Sequence, residues 1–199
     1  MCVSGCGTDR GRNAPFPDTA TKTSPLRVGD NLPDVVLGNM DGNEVRLKAV
    51  VAGQPALIVF YRGGWCPYCN THLSELSGIE KKLKEQGIQV IAISPDHPGE
   101  LVKSMDKHHL GYTLLSDSTM NAARAFGVGF EVDAQTLLKY KGYGIDLESA
   151  SGQQHHALPV PSVFLVGGDG KVRFSHSNPD YKVRLSGQEI LDAATSLRF

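Results

Sequence analysis

The sequence predicts an α/β fold in which a mixed sheet is sandwiched between helices. Three observations carry this. The runs "ALIVFY" (56–61) and "IQVIAIS" (88–94) are apolar without alternation, the mark of strands buried on both faces. Segments with apolar residues at helical spacing alternate with them. Near the C-terminal end, "PSVFLV", the turn "GGDG" and "KVRFSH" form an antiparallel hairpin, so the sheet cannot be purely parallel.

The elements follow in order. "DVVL" and "EVRL", joined across a "DG" turn signal, predict a small hairpin. After the strand at 56–61, Leu73, Leu76, Ile79 and Leu83 recur on one face, predicting a helix over 66–86 that stops at Gly87. The second buried strand is followed by a helix over 99–109, a short strand at "YTLL" and a helix over 119–126. After the C-terminal hairpin, "SGQEILDAATSL" reads as an amphipathic helix with Ser186 as its N-cap.

Bulk properties exclude several classes. A chain of 199 residues, 40% hydrophobic, can bury one good core and needs no disulfide staples. Twenty basic against 21 acidic residues leave no excess charge to attract nucleic acid or an anionic membrane, which points to a small or uncharged substrate. The longest strongly apolar run, 56–61, is far short of a membrane span of about 20 residues. Residues 1–25 are rich in Gly, Pro, Ser, Thr and Arg with no periodicity and read as a flexible tail. Residues 26–199 form the folded domain.

The chemistry concentrates in "VFYRGGWCPYCN" (59–70). Cys66 lies just past a central strand, in the first turn of the long helix, where unpaired N–H groups and the helix dipole favour thiolate. Such positions, and C-x-x-C pairing, bring a thiol from about 8.5 to roughly 3.5–7.5. Pro67 fits this first turn because its missing N–H would have no partner there. Cys69, one turn later on the same face, can attack a mixed disulfide at Cys66 and is the less exposed sulfur. Two inert core cysteines are the competing reading, weakened because the corner opened by Gly63 and Gly64 is an exposed place for sulfur. Arg62 either stabilises the thiolate or is a solvated arginine at a strand end. Trp65 and Tyr68 flank the sulfur, as packing or as the rim of a docking surface. His108 and His109 end a helix, where positive charge suits the dipole.

In these residues the chain resembles a peroxiredoxin-like member of the alkyl hydroperoxide reductase and thiol-specific antioxidant (AhpC/TSA) family. The resemblance covers about residues 26–194 and rests on six ordered blocks: "VGDNLPDVVLGNMDG", "FYRGGWCPYC", "VIAISPD", "ARAFGV", "LPVPSVFLVGGDGKVRF" and "NPDYKVRLSGQEIL". It implies a thioredoxin-like three-layer sandwich, Cys66 as the peroxidatic cysteine and Cys69 as its resolving partner. It also implies that Pro161 is a cis-proline facing the active site, so the Val160–Pro161 bond is expected to be cis and both residues to border the substrate. The chain departs from the pattern at one place. The family's peroxide-holding hydroxyl, three residues before the cysteine, is Gly63 here, and the accompanying proline is missing. Peroxide must then be positioned by backbone N–H groups or from elsewhere, which implies slower chemistry. Arg184 is a further candidate as the distal arginine expected of the family, which spacing does not place.

The activity so implied is that of a thiol peroxidase for hydrogen peroxide or small organic hydroperoxides, recycled by a thioredoxin-like donor, with no organic cofactor. The sequence carries no signal of oligomeric state. The alternative with the same cysteines is a thiol-disulfide oxidoreductase acting on protein disulfides. A third reading joins the two thiolates to His155 or His156, in a loop expected beside the cysteines, as a copper or zinc site. Copper-delivery proteins of this fold carry C-x-x-x-C, one residue longer. Beginning at Met1, the chain as given reads as cytoplasmic. "VSGC" at 3–6 resembles the end of a lipoprotein signal, so an upstream start would make it a periplasmic lipoprotein anchored through Cys6.

Overall fold

A computed structural model describes residues 15–197. In chain order the elements are β1 (Val36–Gly38), β2 (Glu44–Arg46), α1 (Leu47–Val51), β3 (Ala56–Phe60), α2 (Pro67–Glu85), β4 (Gln89–Ser94), α3 (Pro98–His108) and β5 (Thr113–Ser116). There follow α4 (Asn121–Ala125), β6 (Gly129–Glu131), α5 (Ala134–Gly142), α6 (Leu147–Ser151), β7 (Ala157–Pro159), β8 (Ser162–Val166), β9 (Val172–Ser177) and α7 (Gly187–Leu197). Seven strands form one sheet in the order β2-β1-β5-β4-β3-β8-β9, and β6 pairs with β7 apart from it. β3 is parallel to β4 and antiparallel to β8, so the sheet is mixed, as expected.

The strict two-residue period of β3 divides the core between the two faces of the sheet. Ala56, Ile58 and Phe60 join a cluster with Met120 and Phe126 of the α4 region. Leu57, Val59 and Tyr61 join the other, with Leu73 and Leu76 of α2, Leu101 of α3 and Ile190 of α7. All five β3 side chains are therefore buried, and the unalternating apolar run is the consequence. α2 begins one residue later and ends one residue earlier than the apolar spacing implies, with Cys66 as N-cap and Gln86 as C-cap. Ser186 caps α7 as anticipated: its Oγ accepts from the Glu189 N–H at 3.3 Å, while Glu189 Oε2 accepts from the Ser186 N–H at 2.8 Å.

Two features depart from the sequence reading. Residues 127–156, which carried no assignment beyond a loop, contain β6, α5 and α6. None of the α5 residues is fully buried, so its apolar residues had too little periodic signal to announce it. Part of the presumed tail also lies against the domain. Phe16 packs against the core and the Arg124 guanidinium stands 3.7 Å over its ring, while Pro17 accepts a hydrogen bond from the Glu131 N–H. Cys2 and Cys6, and with them the lipoprotein reading, lie outside the described residues.

Candidate active site

The end of β3 delivers the chain into the turn Tyr61–Trp65, and the turn delivers Cys66 to the start of α2. Gly63 has φ +142°, a conformation that L side chains rarely adopt. The turn is held from two sides: the Gly64 N–H donates to Oδ2 of Asp96 at 2.8 Å, and Asn70 Nδ2 donates to the Gly64 carbonyl at 3.0 Å. The Cys66 carbonyl accepts the first helical bonds from the N–H groups of Cys69 and Asn70. Because its backbone is extended and it carries no side-chain cap bond, the Cys66 sulfur is left to its neighbours.

Those neighbours favour thiolate. The Cys66 pKa is lowered to about 6, first by a hydrogen bond from the Cys69 thiol, then by the Cys69 backbone N–H and the charges of Arg62 and Arg184, all acting against burial. Burial and the adjacent Cys66 push the Cys69 thiol well up, so the pair holds one proton, on Cys69. The sequence reading credited the helix start and C-x-x-C pairing; of the two, the structure puts the second cysteine first. Both thiols are free, and Cys66 retains only 2% of its surface, so the glycine corner does not leave its sulfur exposed as expected. The Trp65 indole packs on Gly63, and the Arg62 guanidinium lies over the indole.

Arg62 is not a solvated strand-end residue: it is 3% exposed. Its guanidinium lies over the rings of Tyr181 (4.2 Å), Trp65 (5.1 Å) and Tyr140 (5.4 Å), and its Nη2 donates to the Tyr140 hydroxyl. Arg184, which spacing could not place, reaches Cys69, with Nη2 3.4 Å from the sulfur. Burial and Arg184 lower the pKa of His72, on the same helix, to about 4, so it stays neutral. Asp96, behind the turn, is 1% exposed; burial lifts its pKa to about 7. Sequence reasoning missed Asp96, Tyr140 and Tyr181. Asp96 lay within the quoted "VIAISPD", whereas Tyr140 comes from the unassigned α5.

The expectation of a cis Val160–Pro161 bond is overturned: the described residues contain no cis peptide. The Val160 N–H donates to the Val128 carbonyl and its own carbonyl accepts from Ser162 Oγ, so the chain runs extended from β7 into β8. The ordinary trans isomer, favoured by about 0.5–1 kcal/mol before proline, meets that path. Because Ser162 pairs with Phe60, Pro161 stands opposite Tyr61, at the same end of the sheet as the cysteine loop. The histidine pair has other partners. His155 is bonded to the Ser118 carbonyl and His156 to Glu148 at 2.5 Å. Among the described residues no group of three His, Cys, Asp or Glu side chains is placed to hold a metal ion.

Comparison with known proteins gives the family. The AhpC/TSA family matches residues 28–175. The chain belongs to that family. It is 31% identical over 159 residues to peroxiredoxin Bcp of Escherichia coli, spanning 80% of this chain and 89% of that one. It is 26% identical over 152 residues to the thiol-disulfide oxidoreductase ResA of Bacillus thuringiensis, spanning 76% of this chain and 70% of ResA. Among solved structures, peroxidoxin BcpB of Mycobacterium tuberculosis superposes with a TM-score of 0.67 at 21% identity, covering 87% of this chain and 97% of that one. The protein is a peroxiredoxin-like thiol peroxidase on a thioredoxin fold, with a peroxide as substrate and a thiol as reductant. No helix among the described residues is long and apolar enough to cross a membrane.

Proposed function

We propose that Cys66 is the attacking thiolate and Cys69 the resolving thiol of a peroxidase for hydrogen peroxide or small organic hydroperoxides. The observation that supports these roles is placement: Cys66 stands as the N-cap of α2 at the end of the glycine turn, whereas Cys69 lies inside the helix, fully buried with Arg184 Nη2 3.4 Å from its sulfur, and the surroundings lower the Cys66 pKa while raising that of Cys69. At neutral pH Cys66 attacks one peroxide oxygen. The S–O bond forms, the O–O bond breaks, and the departing oxygen leaves as water or an alcohol once protonated, giving a sulfenic acid. Cys69 then condenses with it, releasing water and forming the disulfide, which a thioredoxin-like dithiol reduces by exchange. Arg62 stabilises the thiolate and the departing anion. Val160 and Pro161 border the cysteine loop from the neighbouring strand and line the approach of substrate.

The experiment is stopped-flow oxidation of the reduced protein. Cys66→Ser abolishes peroxide consumption, whereas Cys69→Ser consumes one equivalent and stops at the sulfenic acid, trapped with dimedone. Equal loss from both substitutions defeats the assignment of roles. The second reading, reduction of protein disulfides, is favoured by the C-x-x-C pair and the similarity to ResA. It takes over if Cys66 reacts with peroxide no faster than a free thiol of equal thiolate fraction while insulin is reduced readily.

A further inference from the structure

Residues 62–65, which lead the chain up to the sulfur, are Arg, Gly, Gly and Trp, and bring no hydroxyl. One arrives from α5 instead. The Tyr140 hydroxyl accepts from Nη2 of Arg62, and its ring stands 5.8 Å from that of Trp65, the residue preceding Cys66. Burial first, with the Cys66 thiolate among the lesser causes, opposes ionisation of the Tyr140 phenol. A phenol both donates and accepts. With the Arg62 N–H taking an oxygen lone pair, the phenolic hydrogen remains to donate.

We infer that Tyr140 is a catalytic residue of the peroxidase, its O–H holding the distal oxygen of the peroxide and protonating it as the O–O bond breaks. The inference rests on Cys66 being the attacking thiolate. The electron pair of the S–O bond comes from the thiolate, and that of the O–O bond leaves on the distal oxygen. This oxygen takes the Tyr140 proton and departs as water or alcohol. The tyrosinate, facing the Arg62 guanidinium, recovers its proton from solvent. Burial keeps the phenol protonated until then. General acids of this kind contribute about 10²–10⁴-fold.

Tyr140→Phe keeps the ring and removes only the hydroxyl, which separates chemistry from packing. Two rates are measured on Cys66 in the reduced full-length chain, oxidation by hydrogen peroxide and alkylation by iodoacetamide across pH. Alkylation needs the thiolate and access to it but breaks no O–O bond. The expected result is a fall of at least about a hundredfold in the peroxide rate, with the alkylation rate and its pH midpoint unchanged. Unchanged peroxide oxidation in the variant, or equal falls in both rates, overturns the role of Tyr140 and leaves Cys66 as nucleophile. A wild-type Cys66 no faster with peroxide than a free thiol overturns both.

Discussion

Oδ1 of Asp96 lies 2.7 Å from the point where a β-carbon on Gly63 would stand, and Cδ1 of Trp65 lies 2.8 Å from it. The missing hydroxyl at position 63 is therefore not a residue that could be restored by substitution. The backbone there is in a region that L side chains rarely enter, and its space is filled by a carboxylate and an indole. The turn has been rebuilt around glycine, with Asp96 holding the next amide and Trp65 covering the corner.

Gly63→Thr should consequently damage the protein rather than improve its peroxide chemistry. A non-glycine residue in such a conformation costs on the order of 1–3 kcal/mol, and the clash with Asp96 adds to it. Urea unfolding should show a loss of at least that size, and stopped-flow mixing a peroxide rate no higher than wild type. A stable variant that reacts faster would mean that the turn relaxes easily, and that positioning through position 63 is open to this chain.

Asp96 makes stability depend on pH. Its pKa in the native state, about 7, lies above the ordinary 3.8 because burial disfavours the charge. The native state therefore holds the proton more tightly than the unfolded chain. The stability so contributed is present below about pH 3.8 and is lost as pH rises through about 7, at up to about 1.4 kcal/mol per pH unit in that window. Asp117, buried where it accepts from the N–H groups of Ala122 and Ala123, acts in the same sense. Asp96→Asn, which keeps an acceptor for the Gly64 amide, should gain stability relative to wild type between pH 4 and pH 8. Parallel urea curves at the two pH values check this; an Asn variant that tracks wild type at both shows that Asp96 titrates normally.

Besides Cys69, which it touches, Arg184 acts on Cys66 and His72 at once. It favours the Cys66 thiolate and disfavours protonation of His72, so removing its charge raises both pKa values. Arg184→Met, which keeps much of the stem's packing, should shift the alkylation midpoint of Cys66 upward by up to about one pH unit, the scale of a partly screened charge a few ångströms away. The His72 ring should begin to titrate at higher pH in NMR. Movement of one group alone would place Arg184 away from the other.

The sequence made legible whatever was recorded in local pattern. The run 56–61 announced a strand buried on both faces, and Leu73, Leu76 and Leu83 announced the helix that carries the cysteines, because periodicity follows burial. The C-x-x-C at its start identified the sulfurs. The surroundings of those sulfurs were not legible, because they are tertiary. Arg62 stood open between a partner of the thiolate and a solvated strand-end arginine until Tyr140 and Tyr181, 78 and 119 positions away, closed around it, and Arg184 could not be placed until α7 and the segment before it packed on α2. α5 was missed because its apolar residues are only partly covered. The cis-proline expectation came from resemblance alone, and resemblance did not register that Val160 is bonded into an extended path.

The pairing of the two sulfurs yields the sharpest test of the site's electrostatics. The largest influence lowering Cys66 is the hydrogen bond from the Cys69 thiol, ahead of either arginine. If a hydrogen-bond donor is what matters, replacing Cys69 by Ser leaves an O–H at nearly the same place, whereas Ala leaves none. The Cys66 midpoint should then stay near 6 in Cys69→Ser and rise in Cys69→Ala, measured by iodoacetamide labelling followed by mass spectrometry. A hydrogen bond to a charged group contributes about 1.5–3 kcal/mol, which corresponds to a rise of about one to two pH units at about 1.4 kcal/mol each. At pH 7 the Ala variant would be at least about half thiol, and its first half-reaction would slow in proportion to the lost thiolate. Above the raised midpoint the two variants should converge. If instead Ser and Ala raise the midpoint equally, the thiolate is held by Arg62, Arg184 and the Cys69 N–H, and the second sulfur serves resolution alone.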